Sequence, residues 1–208
     1  MRLLIFGATG GTGRELVRQA LERGHSVTAF ARDPAALDKR DGLRVLAGDV
    51  FDAAAVERAV AGHEAVLCVL GKPATSPGTV RSQGTRNIVR AMESAGPRRL
   101  ICQSTIGIGD TRPLLPPLYR YLLVPLLLRR TFAEHERQEA DVRSSRLDWT
   151  IVRAGALTDG ERTGRYRHGF PPTDRSLEFE ISRADVAAFT LGLLADGTYL
   201  RESPSLSY

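Results

Sequence analysis

Leu3-Leu4-Ile5-Phe6-Gly7-Ala8-Thr9-Gly10-Gly11-Thr12-Gly13-Arg14-Glu15-Leu16-Val17 decides how this chain is read. Four consecutive apolar residues suit a strand covered on both faces, and the abrupt change to Gly and Thr marks where that strand turns. Helical spacing follows, with Leu16, Val17, Ala20 and Leu21 on one stripe and Gly24 as the stop.

Gly7, Gly10 and Gly13 form G-x-x-G-x-x-G. One glycine permits the tight turn, one lets a pyrophosphate approach the backbone, and one lets the helix sit close to the sheet. Free N–H groups at the helix N-terminus, with the dipole behind them, favour a phosphate there. A tight turn without a ligand uses the same residues, but strand, turn and helix in this order point to a dinucleotide.

The second strand, Ser26 to Ala31, ends in Arg32-Asp33-Pro34. An acidic residue here binds the ribose 2′-OH of NAD, whereas an arginine accommodates the 2′-phosphate of NADP. Arg32 therefore favours NADP(H). Asp33 lies one residue further on and precedes Pro34, which suits a helix N-cap with proline at the first position.

Leu43 to Ala47 reads as a third strand, closed by Gly48-Asp49-Val50 at the level of an adenine. Asp52 caps a helix to Ala61, and Ala65 to Leu70 is a central parallel strand followed by the loop Gly71-Lys72-Pro73. Lys72 reads as a solvated loop residue rather than a base. A helix from Thr79 to Ala95 carries Gln83 and Asn87, which face either cofactor or solvent, and ends at Gly96-Pro97.

Arg99 to Gln103 is the fifth strand, with Ser104-Thr105 at its carboxyl end. These hydroxyls either contact nicotinamide or substrate, or bond to backbone in a turn. Pro113, Pro116, Pro117 and Pro125 interrupt a Leu- and Tyr-rich stretch, which cannot be one straight helix. It reads as an apolar flap or short helices over the site, with a subunit contact or a membrane-surface patch as alternatives. A polar helix from Thr131 to Ser145 and a sixth strand, Asp148 to Arg153, follow. Ala154-Gly155-Ala156 closes that strand, residues 157–177 form a long loop suited to substrate contacts, and Ser182-Arg183-Ala184-Asp185 opens a last helix to about Ala195 as a capping box.

Six strands alternating with helices predict an α/β fold, a single-domain Rossmann-like doubly wound parallel sheet over residues 1–208. Its binding crevice falls where Gly7 to Gly13, Gly71, Ser104-Thr105 and Ala154-Gly155 converge, with substrate loops at 105–130 and 154–180.

The length suits one domain burying roughly 70% of its unfolded surface. Cys68 and Cys102 lie inside apolar strand-like runs with no Cys or His partner beside them and read as small buried hydrophobes in a reducing compartment; no metal site is expected. The net charge of +5 is carried almost wholly by scattered arginines, and aromatic content is 6%, which argues against nucleic acid and for an anionic small molecule. Met1 directly precedes the first strand, leaving no room for a signal peptide, and Tyr121 to Leu128 is too short to span a bilayer. A soluble cytoplasmic protein is expected.

The sequence resembles the atypical short-chain dehydrogenase/reductases, specifically the NAD(P)H-binding group with the NmrA-like proteins and biliverdin-IXβ/flavin reductase. Its carriers are Phe6 to Gly13, Ala31-Arg32-Asp33, Gly48-Asp49-Val50, Leu70-Gly71, Gly84-Thr85-Arg86-Asn87-Ile88-Val89 and Leu147 to Arg153. The resemblance implies phosphate contacts at Gly7, Thr9, Gly10, Gly11 and Thr12, with Gly13 completing the turn, and the 2′-phosphate at Arg32. It implies adenine flanked by Asp49 and Val50, and the nicotinamide half near Gly71, Gln103, Thr105 and His135; Leu70 and Ala154 are further expected cofactor contacts.

Two departures bear on chemistry. Neither Lys39 nor Lys72 has a tyrosine four residues before it, so the Tyr-x-x-x-Lys dyad of ordinary short-chain dehydrogenases is absent. Ala156 stands where biliverdin-IXβ/flavin reductase carries a histidine. The expected function is hydride transfer from NADPH to a small flavin-, quinone- or carbonyl-type acceptor that needs little proton help. Ser104 or Thr105 could donate to it and His135 could relay a proton, although a lone histidine on a polar helix also suits the surface. The alternative is a non-catalytic NADP(H)-sensing protein of the NmrA-like kind, and an isomerase or epimerase is a third. A homodimer through 114–130 is one use of the apolar segment.

Overall fold

The computed structural model describes residues 1–72, 78–174 and 176–208. Pro73 of the Gly71-Lys72-Pro73 loop and Arg175 of the 157–177 loop lie outside the described residues. The six expected strands form in order: β1 (Arg2–Phe6), β2 (Ser26–Ala31), β3 (Leu43–Ala47), β4 (Ala65–Cys68), β5 (Arg99–Thr105) and β6 (Asp148–Ala154). Their lateral order is 3-2-1-4-5-6, every neighbouring pair parallel. This is a doubly wound α/β sheet, and its order reverses between β1 and β4, where a crevice opens at the strands' carboxyl ends.

Alternation along β1 splits the core in two. Leu3 and Ile5 pack with Leu16, Ala20, Val186 and Phe189, from α1 (Gly11–Glu22) and α5 (Arg183–Gly192). Leu4 and Phe6 pack with Val56, Ile88, Met92 and Val142, from α2 (Ala53–Val60), α3 (Val80–Ala95) and α4 (Arg129–Arg143). A strand buried on both faces needs the uninterrupted apolar run read from the sequence.

Local signals hold where they are chemical. Asp52 accepts from Ala55 N–H and caps α2, Asp33 accepts from Ala35 N–H and caps a 3-10 turn at Pro34–Ala36, and Ser182 accepts from Asp185 N–H and caps α5. The Asp185 carboxylate then accepts from Thr163, Gly164 and Tyr208, tying the long loop and the last residue to that helix.

Two parts of the β structure go beyond expectation, and the proline-rich stretch takes the short-helix alternative. The sheet gains two strands beyond β6, namely β10 (Ser205–Ser207), parallel to it, and β8 (Arg167–His168), antiparallel at the edge. A two-stranded ladder joins β7 (Ala156–Thr158) to β9 (Glu180–Ser182). The proline-rich stretch is helical: a 3-10 segment at Gly109–Leu114 precedes a π-helix at Tyr119–Leu128, which runs directly into α4. The wider i→i+5 register carries Pro125 inside the helix without the break that proline imposes on an α-helix. Cys68 and Cys102, without a partner in sequence, are register partners on β4 and β5, both buried and free; the Cys68 thiol beside it and burial push the Cys102 thiol well above its ordinary range.

Candidate active site

Gly7 has φ +86°, and a Cβ there would sit 2.5 Å from the Val69 carbonyl oxygen. A Cβ at Gly13 would lie 2.1 Å from the Gly7 carbonyl oxygen and 2.7 Å from Ala8 Cα. Both positions admit only glycine, because the obstacle is backbone. Gly10 N–H donates to Gly7 O at 3.0 Å, and α1 begins with no side chain capping it. Its first N–H groups therefore remain available to an anion.

At Gly11 the obstacle is a side chain: a Cβ there would meet Arg183 Cδ at 2.5 Å. Arg183, the first residue of α5, lies across the glycine turn with Nη1 2.5 Å from Asp159, itself an exposed carboxylate.

Beyond the turn lies the end of β2. Asp33 is committed to its cap, whereas Arg32 is exposed and lines the cavity. Asp49 accepts from Phe51 N–H at 3.0 Å and so shapes the adenine-level loop. Asn87 Nδ2 donates to Val50 O at 2.8 Å, so its role is to fasten α3 to that loop.

The opposite end is built on a buried ionic network. Arg153 of β6 donates through Nη2 to Glu139 of α4 at 2.7 Å and through Nη1 to Asp110 at 2.6 Å. The Arg153 and Glu139 side chains are only 3% and 4% exposed. Ser104 Oγ donates to Glu139 Oε1 at 2.7 Å and stands 3.4 Å from His135 Nδ1. Thr105 Oγ1 donates to Ile106 O at 3.2 Å. Both hydroxyl protons are thus already placed within the protein.

His135 is buried, so the surface reading of a histidine on a polar helix does not hold. Burial, reinforced by the Arg81 charge, depresses its pKa to about 3, and the imidazole is neutral at physiological pH. Arg81 donates to Lys72 O at 3.0 Å, and burial lowers its pKa against the attraction of Glu134. The Gln103 Oε1 atom is buried and has no hydrogen-bond donor among the described residues.

The glycine turn, Arg32, Asp49, Arg81, Gln103, Ser104, Thr105, His135 and Arg183 border one cavity of about 790 Å³, with Arg153 and Glu139 behind its wall. It brings together every residue expected from the sequence as a cofactor contact or catalytic candidate: Gly7, Thr9 to Gly13, Arg32, Asp49, Val50, Leu70, Gly71, Gln103, Ser104, Thr105, His135 and Ala154. It adds Phe30, Arg81, Leu157 and Arg183. Arg183 follows the Ser182 cap, a signal that places it at a helix start and gives no hint of Gly11. Of the two expected substrate loops, Thr105 and residues 154–157 line the cavity, and no described residue from 106 to 130 or from 158 to 180 does so.

The parallel sheet, its switch point and the glycine turn under one continuous cavity define a dinucleotide-binding Rossmann-like protein. The family model described as NAD(P)H-binding matches residues 7–197, and the chain belongs to that family. An uncharacterised chloroplastic protein of Arabidopsis thaliana is 31% identical over 89% of this chain and 69% of its own length. A 3-diazoavenalumate denitrifying reductase of Streptomyces is 34% identical over 81% of this chain, which spans 60% of that enzyme. Among solved structures, the anaerobillin reductase ChuY of Escherichia coli O157:H7 superposes with a TM-score of 0.82 at 27% identity, covering 99% of this chain and 96% of that one. A short-chain dehydrogenase/reductase from Veillonella parvula, solved with NADP, shares the fold at a TM-score of 0.81 and 21% identity, covering 100% of this chain and 94% of that one.

Proposed function

We propose that this protein is an NADPH-dependent oxidoreductase that transfers hydride to a small flavin-, quinone- or carbonyl-type acceptor. The observation that carries the reading is the single cavity, running from exposed Arg32 past the glycine turn to Gln103, Ser104 and His135. Its volume lies in the range of small-molecule sites. Asp49 is the sole acid among the described lining residues, against Arg32, Lys72, Arg81 and Arg183, a balance suited to a polyphosphate cofactor.

The residues fit that cofactor. Glycines forced by backbone crowding leave the α1 N-terminus open for pyrophosphate, and Arg183 lies over it. Arg32 is free of the capping that occupies Asp33 and would read a 2′-phosphate. The unpartnered Gln103 Oε1 is an acceptor for an amide N–H. When bound, NADPH supplies the hydride; the chain binds, orients and excludes water from the two reactants. Ser104 keeps its proton on Glu139, Thr105 keeps its own on backbone, and neutral His135 is a poor acid, so the proton comes from solvent. Acceptors that need little proton assistance follow from this. With both thiols buried and free, the proposed location is the cytoplasm.

The same three protons support a second reading, an NADP(H)-sensing protein of NmrA-like type without turnover. NADPH oxidation with a panel of flavins, quinones and aldehydes separates the two. Turnover with at least one acceptor is expected, and tight NADPH binding with none assigns the sensor role.

A further inference from the structure

From 111 to 133 the chain has no acidic residue but carries Arg112, Arg120, Arg129 and Arg130. Inside this stretch the π-helix Tyr119–Leu128 reads YRYLLVPLLL, and none of its ten residues is buried. Tyr121 is 71% exposed, and Leu126 and Leu127 are each 70% exposed. With Leu118 and Leu122 they recur at intervals of three to five residues and share a face. A helix this apolar belongs in a core or against lipid, and no core receives it.

Its length and ends select among occupants. Ten to fourteen apolar residues are too few to cross a bilayer and suit a segment lying in the interface, and no helix among the described residues is long and apolar enough to span one. Arginines at both ends of the leucines can reach headgroup phosphates while the apolar side chains enter the acyl boundary. A second copy pairing through the same segment about a two-fold axis would set these arginines against themselves, with no acid in the stretch to neutralise them.

We propose that Tyr119–Leu128 docks this protein on the surface of an anionic lipid bilayer, with Arg120, Arg129 and Arg130 at the headgroups. The face connects to the active site: the Tyr119 ring packs on Phe179 at 5.3 Å, and the Phe179 carbonyl accepts from Ala156 N–H, in the cavity wall, at 2.8 Å.

Flotation of the full chain with vesicles tests the proposal. Capture on phosphatidylglycerol-containing vesicles is expected to exceed capture on pure phosphatidylcholine about tenfold at low salt and to fall as salt rises. The Leu126→Glu/Leu127→Glu variant, altered only at solvent-exposed side chains, should lose capture and retain NADP(H) binding. Arg129→Glu/Arg130→Glu should lose the preference for anionic lipid. No capture of the wild type, or equal capture on both lipids, overturns the proposal. So does a wild-type dimer in light scattering that stays off vesicles and becomes monomeric in the Leu126→Glu/Leu127→Glu variant, which gives the face to a second copy.

Discussion

The two ends of the cavity are built on different principles. The glycine turn is made of backbone: Gly7 is required because the Val69 carbonyl just past β4 leaves no room for a Cβ, and Gly13 because the Gly7 carbonyl and Ala8 Cα leave none. The end formed by Ser104, His135 and Gln103 rests on side chains from β5, α4 and β6, held by Glu139 and Arg153. The first end keeps its N–H groups for a ligand, while most donors of the second are spent on the protein. A cofactor is bound by a backbone device, and the acceptor of the proposed reaction would meet a wall whose hydroxyl protons are placed within the protein and whose unpartnered acceptor is Gln103 Oε1.

The largest effect should come from breaking that wall. Arg153→Ala leaves the buried Glu139 charge with only the half-exposed Arg143, 3.4 Å away, as its ionic partner and should cost about 3 kcal/mol in urea unfolding. Replacing the pair together, Arg153→Met with Glu139→Leu, should recover most of it; a double variant no better than the single one would show that the network does more than neutralise charge.

Gly13→Ala attacks the other end, forcing backbone apart at the turn. A loss of about 3 kcal/mol in stability is expected, together with loss of NADPH binding. Gly192→Ala, where a Cβ meets open space, is the control and should change stability by less than about 1 kcal/mol.

Two arginines divide the cofactor end further. Arg32→Ala should weaken NADP(H) by about 2 kcal/mol, roughly thirtyfold, and leave NAD(H) unchanged. Equal losses for both would remove Arg32 from the 2′-phosphate. Arg183→Gln should weaken both cofactors alike, about tenfold, because pyrophosphate is common to them. Asp159→Asn, which releases the Arg183 guanidinium, should tighten both slightly, the exposed pair being weak.

A modest effect on stability concerns His135. Its folded pKa of about 3 lies below that of an unfolded imidazole near 6.5, so the unfolded chain takes up a proton that the folded chain refuses. Its contribution to stability is complete above pH 6.5 and is lost as pH falls toward 3. Between pH 7 and 5.5 the wild type should lose about 1 kcal/mol more than His135→Gln. Identical pH dependence would place the charged imidazole in contact with solvent.

Much of the fold was legible because its signals are local. Four apolar residues before Gly7, Asp33 before Pro34, Asp52 before an alanine run and Ser182 three residues before Asp185 each act within a turn of their own position. The edge strands β8 and β10 were not legible, since two or three residues become a strand only when β6 offers its open edge to β10 and β10 in turn offers its own to β8. Nor was the π-helix, because the proline rule assumes an α-helical register.

By itself the sequence determined a parallel sheet, a glycine turn for a dinucleotide and an arginine at the second strand's end, all set by backbone sterics and short-range chemistry. Only the tertiary structure decided that Ser104, Glu139 and Arg153 share protons, that His135 is neutral, and that Arg183 lies on Gly11. Hydrogen-bond partners and desolvation depend on segments far apart in the chain, and these meet only when the sheet and helices have packed.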